Sequence, residues 1–217
     1  LLQAIVFDFD GLILDTETHE FQTFQDLFRE HGAELPLEEW SRVVGSSDSD
    51  FDPYAYLERC VGKRLDREAL KEKCRKRHLA SIEGEKALPG VEDVLKQAQA
   101  LGWKIGLASS SVRDWVEGHL ESLGLRHYFE CIRTREDVQR TKPDPSLYLQ
   151  AAECLGVHPS EAVAVEDSPN GALAAKRAGM ACIVVPNSVT AQFSFGSVDL
   201  RLSSLEELKL ADWASGR

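Results

Sequence analysis

The stretch Ala4-Ile5-Val6-Phe7-Asp8-Phe9-Asp10-Gly11-Leu12-Ile13-Leu14-Asp15 decides how the rest of the chain is read. Its first four residues form a short apolar run, and a glycine follows the two aspartates, which is the pattern of a buried strand ending in a turn. In open parallel sheets such strands end at the ligand crevice, which places Asp8 and Asp10 at the rim of a site rather than in the interior. Side chains alternate along extended backbone, so the two carboxylates lean to one side while Phe9 turns into the core. Like charges so close repel unless a cation lies between them or one is protonated. The pair reads as a metal site or an acid/base pair, and the motif alone leaves a solvated acidic turn open as well.

At 217 residues the chain can form one large domain, or one domain with a sizeable insertion, and bury a full core. It carries 36 acidic and 25 basic residues, and the net charge of -11 disfavours nucleic acid and anionic membrane surfaces as partners. Its longest apolar stretches, such as Ala181-Cys182-Ile183-Val184-Val185, are far shorter than a membrane span. The first residues read as strand rather than as a leader, so a cytoplasmic location is expected. The chain starts at Leu1 without Met, which leaves room for a few residues upstream. Cys60, Cys74, Cys131, Cys154 and Cys182 are an odd set with no C-x-x-C pair and no zinc-ligand spacing. Reduced, mostly buried thiols are expected, with no disulfide needed for stability.

Beyond Asp15 the pattern turns helical and polar. Phe21, Phe24, Leu27 and Phe28 make an apolar stripe that opens at Asp15 or Thr16 and stops at Gly32. A second helix is predicted over 37–44, a loop over 45–53, helices over 54–61 and 67–82, and a return linker to residue 86. From Pro89-Gly90 onward, strands and helices alternate. A helix carrying Val91, Val94, Leu95 and Ala98 precedes a strand over 103–108, and Ser111 with Asp114 reads as a capping box for the next helix. A strand near 129–132 and a helix with Asp144 as N-cap and Pro145 at its first position follow. Then come a strand over 162–165, a helix capped by Ser168-Pro169, a strand over 180–185 and a closing helix over 205–213. Such alternation predicts an α/β fold, a doubly wound parallel sheet with right-handed crossovers whose strand ends share one edge. Asp8 and Asp10, Ser109, Lys142, and Glu166-Asp167 each follow a strand and would meet there. Singly, Ser109 reads as a helix start, Lys142 as a loop lysine and Glu166-Asp167 as an acidic turn; their joint placement favours a site.

Asp8-Phe9-Asp10-Gly11, Ser109 after its strand, Lys142-Pro143-Asp144-Pro145 and Glu166-Asp167-Ser168-Pro169 together resemble the four motifs of the haloacid dehalogenase superfamily. The helical insertion after Asp15-Thr16-Glu17 resembles the cap of its β-phosphoglucomutase-like and phosphoglycolate-phosphatase-like branch. The resemblance spans essentially the whole chain. It implies a Rossmann-like core over 1–15 and 87–217 with an α-helical cap domain over 16–86. It further implies a phosphatase acting on a small phosphorylated metabolite, with Mg2+ held by Asp8, the Asp10 carbonyl and Asp167, and Glu166 beside the metal or its water. In that scheme Asp8 is the nucleophile and forms an aspartyl-phosphate, and Asp10 is the acid and base. Lys142, Ser109, Ser110 and Gly11 hold the phosphoryl group. Asp10 also argues against dehalogenase chemistry.

The cap loop departs from the mutases of this branch, which grip a second phosphate with a basic residue. Here 45–52 offers Asp48, Asp50 and Asp52 and no cation, and Glu20 stands where those enzymes use a histidine, with His19 one position early. Arg75, Lys76 and Arg77 read as a solvated face. A Mg2+-dependent phosphatase is therefore expected, with a sugar-phosphate mutase and a non-catalytic phosphometabolite-binding or regulatory protein as the other readings. The assembly is expected to be a monomer or weak homodimer.

Overall fold

The computed structural model of the chain describes residues 1–214. Its parallel sheet has six strands in the order β3-β2-β1-β4-β5-β6. They are β1 (Ala4–Phe7), β2 (Lys104–Ala108), β3 (Cys131–Arg133), β4 (Ala162–Glu166), β5 (Ala181–Val184) and β6 (Leu200–Arg201). Phe7 lies opposite Leu107 on one side and Val165 on the other. The chain runs outward from β1 through β2 and β3, then returns to add β4 on the opposite flank. Such a reversal of order opens a crevice at the C-terminal edge of the sheet, and Asp8 is the first residue beyond it.

Between β1 and β2 the chain inserts α1 (Thr16–Glu30), α2 (Leu37–Trp40), α3 (Pro53–Val61) and α4 (Arg67–Ile82). These pack around Phe24, Leu27, Phe28, Trp40 and Leu57, a cluster separate from the two that flank the sheet. Asp15, Asp52 and Asp66 cap α1, α3 and α4 by accepting from backbone N–H groups in the first turn. The remaining helices are α5 (Val91–Ala100), α6 (Arg113–Ser122), α7 (Ser146–Leu155), α8 (Pro169–Arg177) and α9 (Leu210–Ala214).

Alternation along the strands divides the core in two. Ile5, Phe7, Leu107 and Val165 meet α5, α6 and α9 on one face, while Ala4, Val6, Ala164 and Cys182 meet α7 and α8 on the other. Each fully buried Leu, Ile or Phe there contributes about 1.5–3 kcal/mol. The second face is built of small residues, so the helices come close. A Cβ at Gly106 would lie 2.9 Å from Leu155 Cδ1.

Several local expectations shift, some of them for a contact made at long range. The helix expected over 37–44 ends at Trp40, because Gly45 takes φ 75° and brings the loop onto the core: Asn170 Nδ2 donates to Val44 O at 2.8 Å and Ser110 Oγ to Gly45 O at 3.1 Å. The Ser111–Asp114 capping box does not form; α6 begins at Arg113, whose N–H donates to Glu136 instead. The helix expected from Asp144 begins at Ser146, although Asp144 Oδ1 still accepts from Ser146 N at 2.9 Å. The closing helix splits into a short 3-10 turn, Leu205–Glu207, and α9, and the Gln97 side chain serves the freed Leu208 carbonyl and Leu210 N–H. The strand expected near 129–132 falls at Cys131–Arg133, and the two-residue β6 is too short to leave a periodic signal.

The cysteine expectation is corrected as well. Cys131 and Cys154 form a disulfide, because α7 lies over β2 and β3 and brings their Cα atoms to 6.2 Å. Cys74 and Cys182 are free and buried, and Cys60 is free and exposed.

Candidate active site

The end of β1 delivers Asp8 into the interior rather than to a rim: it is 4% exposed. Its backbone N–H is tied to Val165 O at 2.9 Å, which aligns it with the end of β4 and hence with Glu166 and Asp167. Asp8, Glu166 and Asp167 are all buried, and each offers a carboxylate oxygen within 4.8 Å of the others. Lys142, itself buried, donates from Nζ to Asp8 Oδ1 at 2.6 Å and to Glu166 Oε1 at 2.7 Å. The Tyr148 hydroxyl also donates to Glu166 Oε1, and Ser168 Oγ to Oε2 at 3.3 Å.

Asp167 is held on one side only. Asn187 Nδ2 donates to Oδ2 at 2.7 Å, whereas the buried Oδ1 has no hydrogen-bond partner among the described residues. Gly11 makes this approach possible: a Cβ there would stand 2.3 Å from Asp167 Oδ2, at a φ of 77° that also favours glycine. The Gly11 N–H donates to Leu14 O at 2.8 Å, so it is committed within the turn.

Asp10 is the half-buried member of the pair and lines the same cavity as Asp8. Four donors surround its carboxylate: Thr16 Oγ1 at 2.8 Å and Trp115 Nε1 at 2.9 Å on Oδ1, with Ser111 Oγ at 2.6 Å and Ser109 Oγ at 3.5 Å on Oδ2. The Ser109 N–H donates to Arg133 O, and the Ser110 hydroxyl to Gly45 O. Thr16, Ser111, Trp115, Tyr148 and Asn187 were not assigned to the site from sequence. Ser111 and Trp115 stand four residues apart across the start of α6, a spacing that could have placed them on one face; Tyr148 and Asn187 left no such signal.

The cavity beyond these groups measures about 440 Å3. None of Asp48, Asp50 and Asp52 lines it, which corrects the expectation that this loop repels a second phosphate. Asp48 Oδ2 instead accepts from Thr141 N at 2.6 Å, steadying the segment that carries Lys142, and Asp52 caps α3 and pairs with Arg67 at 2.9 Å. The carboxylates that line the cavity from the inserted helices belong to Glu17 and Glu20. Arg75 and Lys76 pair with Glu72 and Arg77 with Glu30 on the outside of α4, as a solvated face should.

The crowding has an electrostatic signature. Burial, then the Glu166 charge, push Asp8 up to about 7 against the opposing pull of Lys142, and burial followed by Asp8 and Glu166 holds Asp167 well above the ordinary carboxylate range. A carboxyl whose folded pKa is raised holds a proton that the unfolded chain has released, so stability falls as pH rises from about 4 to about 7. A cation among the three carboxylates removes that penalty. A divalent cation should therefore raise Tm by about 5 °C or more at pH 8 and much less at pH 5, read by thermal unfolding against a chelator control. An equal shift at both pH values would separate metal binding from this cluster.

The profile of the haloacid dehalogenase-like hydrolases matches residues 5–185. The Bacillus subtilis protein YhcW, provisionally named a phosphatase, is 53% identical over 211 residues, covering 97% of this chain and 96% of that one. Hexitol phosphatase B of Escherichia coli K12 is 32% identical over 232 residues, covering 96% and 95%. Among solved structures, CbbY from Rhodobacter sphaeroides in complex with phosphate superposes with a TM-score of 0.75 at 28% identity, covering 96% of each chain. Four polar clusters gathered at the switch point of a doubly wound sheet, and a match that runs from the first strand to just past β5, have one common explanation: the chain belongs to the haloacid dehalogenase-like hydrolases.

Proposed function

We propose that this phosphoric-monoester hydrolase moves the phosphoryl group of a small phosphomonoester first to Asp8 and then to water, in a site that takes Mg2+. The observation that carries the reading is the trio Asp8, Glu166 and Asp167, buried within 4.8 Å of one another, with Lys142 on two of them and Asp167 Oδ1 left without a partner. An all-oxygen donor set with an orphaned buried carboxylate oxygen fits a hard divalent cation. Asp8 and Asp167 would hold it with the Asp10 carbonyl, and Glu166 directly or through water. When bound, Mg2+ supplies positive charge against the phosphoryl oxygens.

Asp8 donates an electron pair to phosphorus, and the ester oxygen leaves with a proton from Asp10. Water then attacks the aspartyl-phosphate, giving its proton to Asp10 as the bond from phosphorus to Asp8 breaks. Lys142 fixes Asp8 by Oδ1 and offsets the incoming charge. The hydroxyls of Ser109 and Ser110 stand beside this position and line the same cavity. Gly11 serves by letting Asp167 approach. Residues 16–86 are the proposed cap, whose loop at Gly45 closes over Ser110 and excludes water from the first step.

Phosphate release from a panel of sugar phosphates, nucleotides and phosphoglycolate, each with Mg2+ and with chelator, tests the whole scheme. Release that depends on Mg2+ is expected; interconversion of a sugar phosphate primed by a bisphosphate, with little free phosphate, would mean a mutase. Trp115→Phe isolates one hydrogen bond. The ring stays against His119, 4.3 Å away between centroids, while the donor to Asp10 is lost. About a tenfold fall in kcat with KM within threefold is expected, and an unchanged kcat would show that Trp115 does not position Asp10.

A further inference from the structure

Beyond β5 the chain turns at Asn187, and that residue's own side chain ties the turn. Asn187 Oδ1 accepts from Val189 N at 2.9 Å and from Thr190 N at 3.1 Å, while Asn187 N donates to Thr190 Oγ1 at 3.0 Å. With both N–H groups on the oxygen the amide has one orientation, and its nitrogen is left to face Asp167. Nδ2 donates to Asp167 Oδ2 at 2.7 Å and more weakly to Gly11 O at 3.4 Å. The turn does not depend on Asn187 alone: Val189 is buried and joins the cluster of Phe24, Leu27 and Trp40 in the inserted helices, and Thr190 is wholly buried.

The consequence falls on the other carboxylate oxygen. Asp167 is 1% exposed and its Oδ1 has no hydrogen-bond partner among the described residues, so the side chain offers one oxygen and withholds the other. Lys142 treats the neighbouring carboxylates alike, engaging Asp8 at Oδ1 and Glu166 at Oε1. A small divalent cation such as Mg2+ or Mn2+ holds roughly six oxygens in a near-octahedral array and suits carboxylates that give one oxygen each, whereas Ca2+ takes roughly six to eight and accepts both oxygens of a carboxylate. Resting on the hydrolase reading above, we infer that Asn187 is a positioning residue that confines Asp167 to ligation through Oδ1, and so selects a small six-coordinate cation over Ca2+. The amide acts twice: it orients the carboxylate before the cation arrives and keeps Oδ2 occupied afterwards. Burial holds Asp167 well above the ordinary carboxylate range, so a cation must displace a proton there. Mn2+ and Ca2+ both do so, and that cost cancels in the ratio of their affinities.

Competition between the two ions tests this without turnover. Mn2+ is titrated into the metal-free protein at pH 8, the free ion is followed by its electron paramagnetic resonance signal, and Ca2+ is then added to displace it. The native protein is expected to prefer Mn2+ by about tenfold or more, and a smaller preference overturns the inference. In Asn187→Ala the Mn2+ affinity should fall by about tenfold and the preference should narrow by about threefold or more, because Oδ2 becomes free for Ca2+. A preference that holds overturns the role given to Asn187. Each preference is internal to one protein, so a loss of folded material cancels. Val189→Ala loosens the same turn but leaves the amide in place; it should lower the Tm of the metal-free protein and keep the preference within about twofold of native. Narrowing in Val189→Ala to match Asn187→Ala would assign the effect to packing of the turn and overturn the inference. Mn2+ binding without preference would sink the inference alone, whereas no saturable binding by the native protein would fail the metal site of the hydrolase reading and the inference with it.

Discussion

Asp8→Asn is expected to give a folded protein whose turnover falls by a factor on the order of 10^4 or more. The amide oxygen can still accept the Lys142 hydrogen bond, made at 2.6 Å in the native site, so the local geometry survives. What disappears, in the proposed scheme, is the electron pair that attacks phosphorus. Removing one carboxylate from a buried trio also relieves repulsion with Glu166 and Asp167, so at pH 8 without metal the variant should melt no lower than the native protein. Steady-state phosphate release, acid quenching followed by intact-mass measurement, and a thermal melt read the three consequences separately. The native protein should carry a phosphoryl adduct and the variant none. Turnover retained in the variant would remove Asp8 as the nucleophile.

Lys142→Met is expected to do the opposite to stability and much the same to activity. Its Nζ is the cation bridging Asp8 and Glu166, at 2.6 and 2.7 Å, and it sits over the Tyr148 ring at 5.0 Å. Methionine keeps most of the volume and removes the charge, leaving the buried carboxylates uncompensated. Breaking a buried pair in this way costs about 3–5 kcal/mol, and the loss of electrostatic support to the reacting phosphoryl group should lower kcat by a factor on the order of 10^3. The stability deficit should shrink at pH 5, where Asp8 and Asp167 hold protons, and shrink again with Mg2+. A variant as stable as the native protein at pH 8 would show that Lys142 fills space there rather than balancing charge.

Much of this arrangement was legible in the amino-acid order. The run Ala4-Ile5-Val6-Phe7 carries its buried character in four consecutive apolar side chains, and β1 is buried at all four. Strand and helix alternate from residue 91 onward with periods short enough to be read locally, which is why the parallel sheet was foreseen. Asp8, Lys142 and Asp167 each follow a strand or stand in the loop after one and Glu166 ends one, and common strand direction alone sends them to one edge. The Ser111 reading failed for an instructive reason. A serine followed three residues later by an aspartate satisfies the capping rule, yet the Ser111 hydroxyl, which in a cap would accept from the first turn, instead donates to Asp10 Oδ2, 101 positions away in sequence.

The sequence by itself determined the elements, their direction and the edge at which chemistry gathers, because periodicity, turns and caps are properties of neighbouring residues. The tertiary structure decided which atoms meet. Trp115 reaches Asp10 across 105 positions, and Asn187 anchors one oxygen of Asp167 while the other is left bare. Cys131 finds Cys154, and Glu17 and Glu20, rather than Asp48, Asp50 and Asp52, turn into the cavity. Each of these depends on sheet register, on the side over which a helix crosses and on the docking of the inserted helices. Those quantities are set by the packing of the whole core at once, and no short stretch of residues contains them.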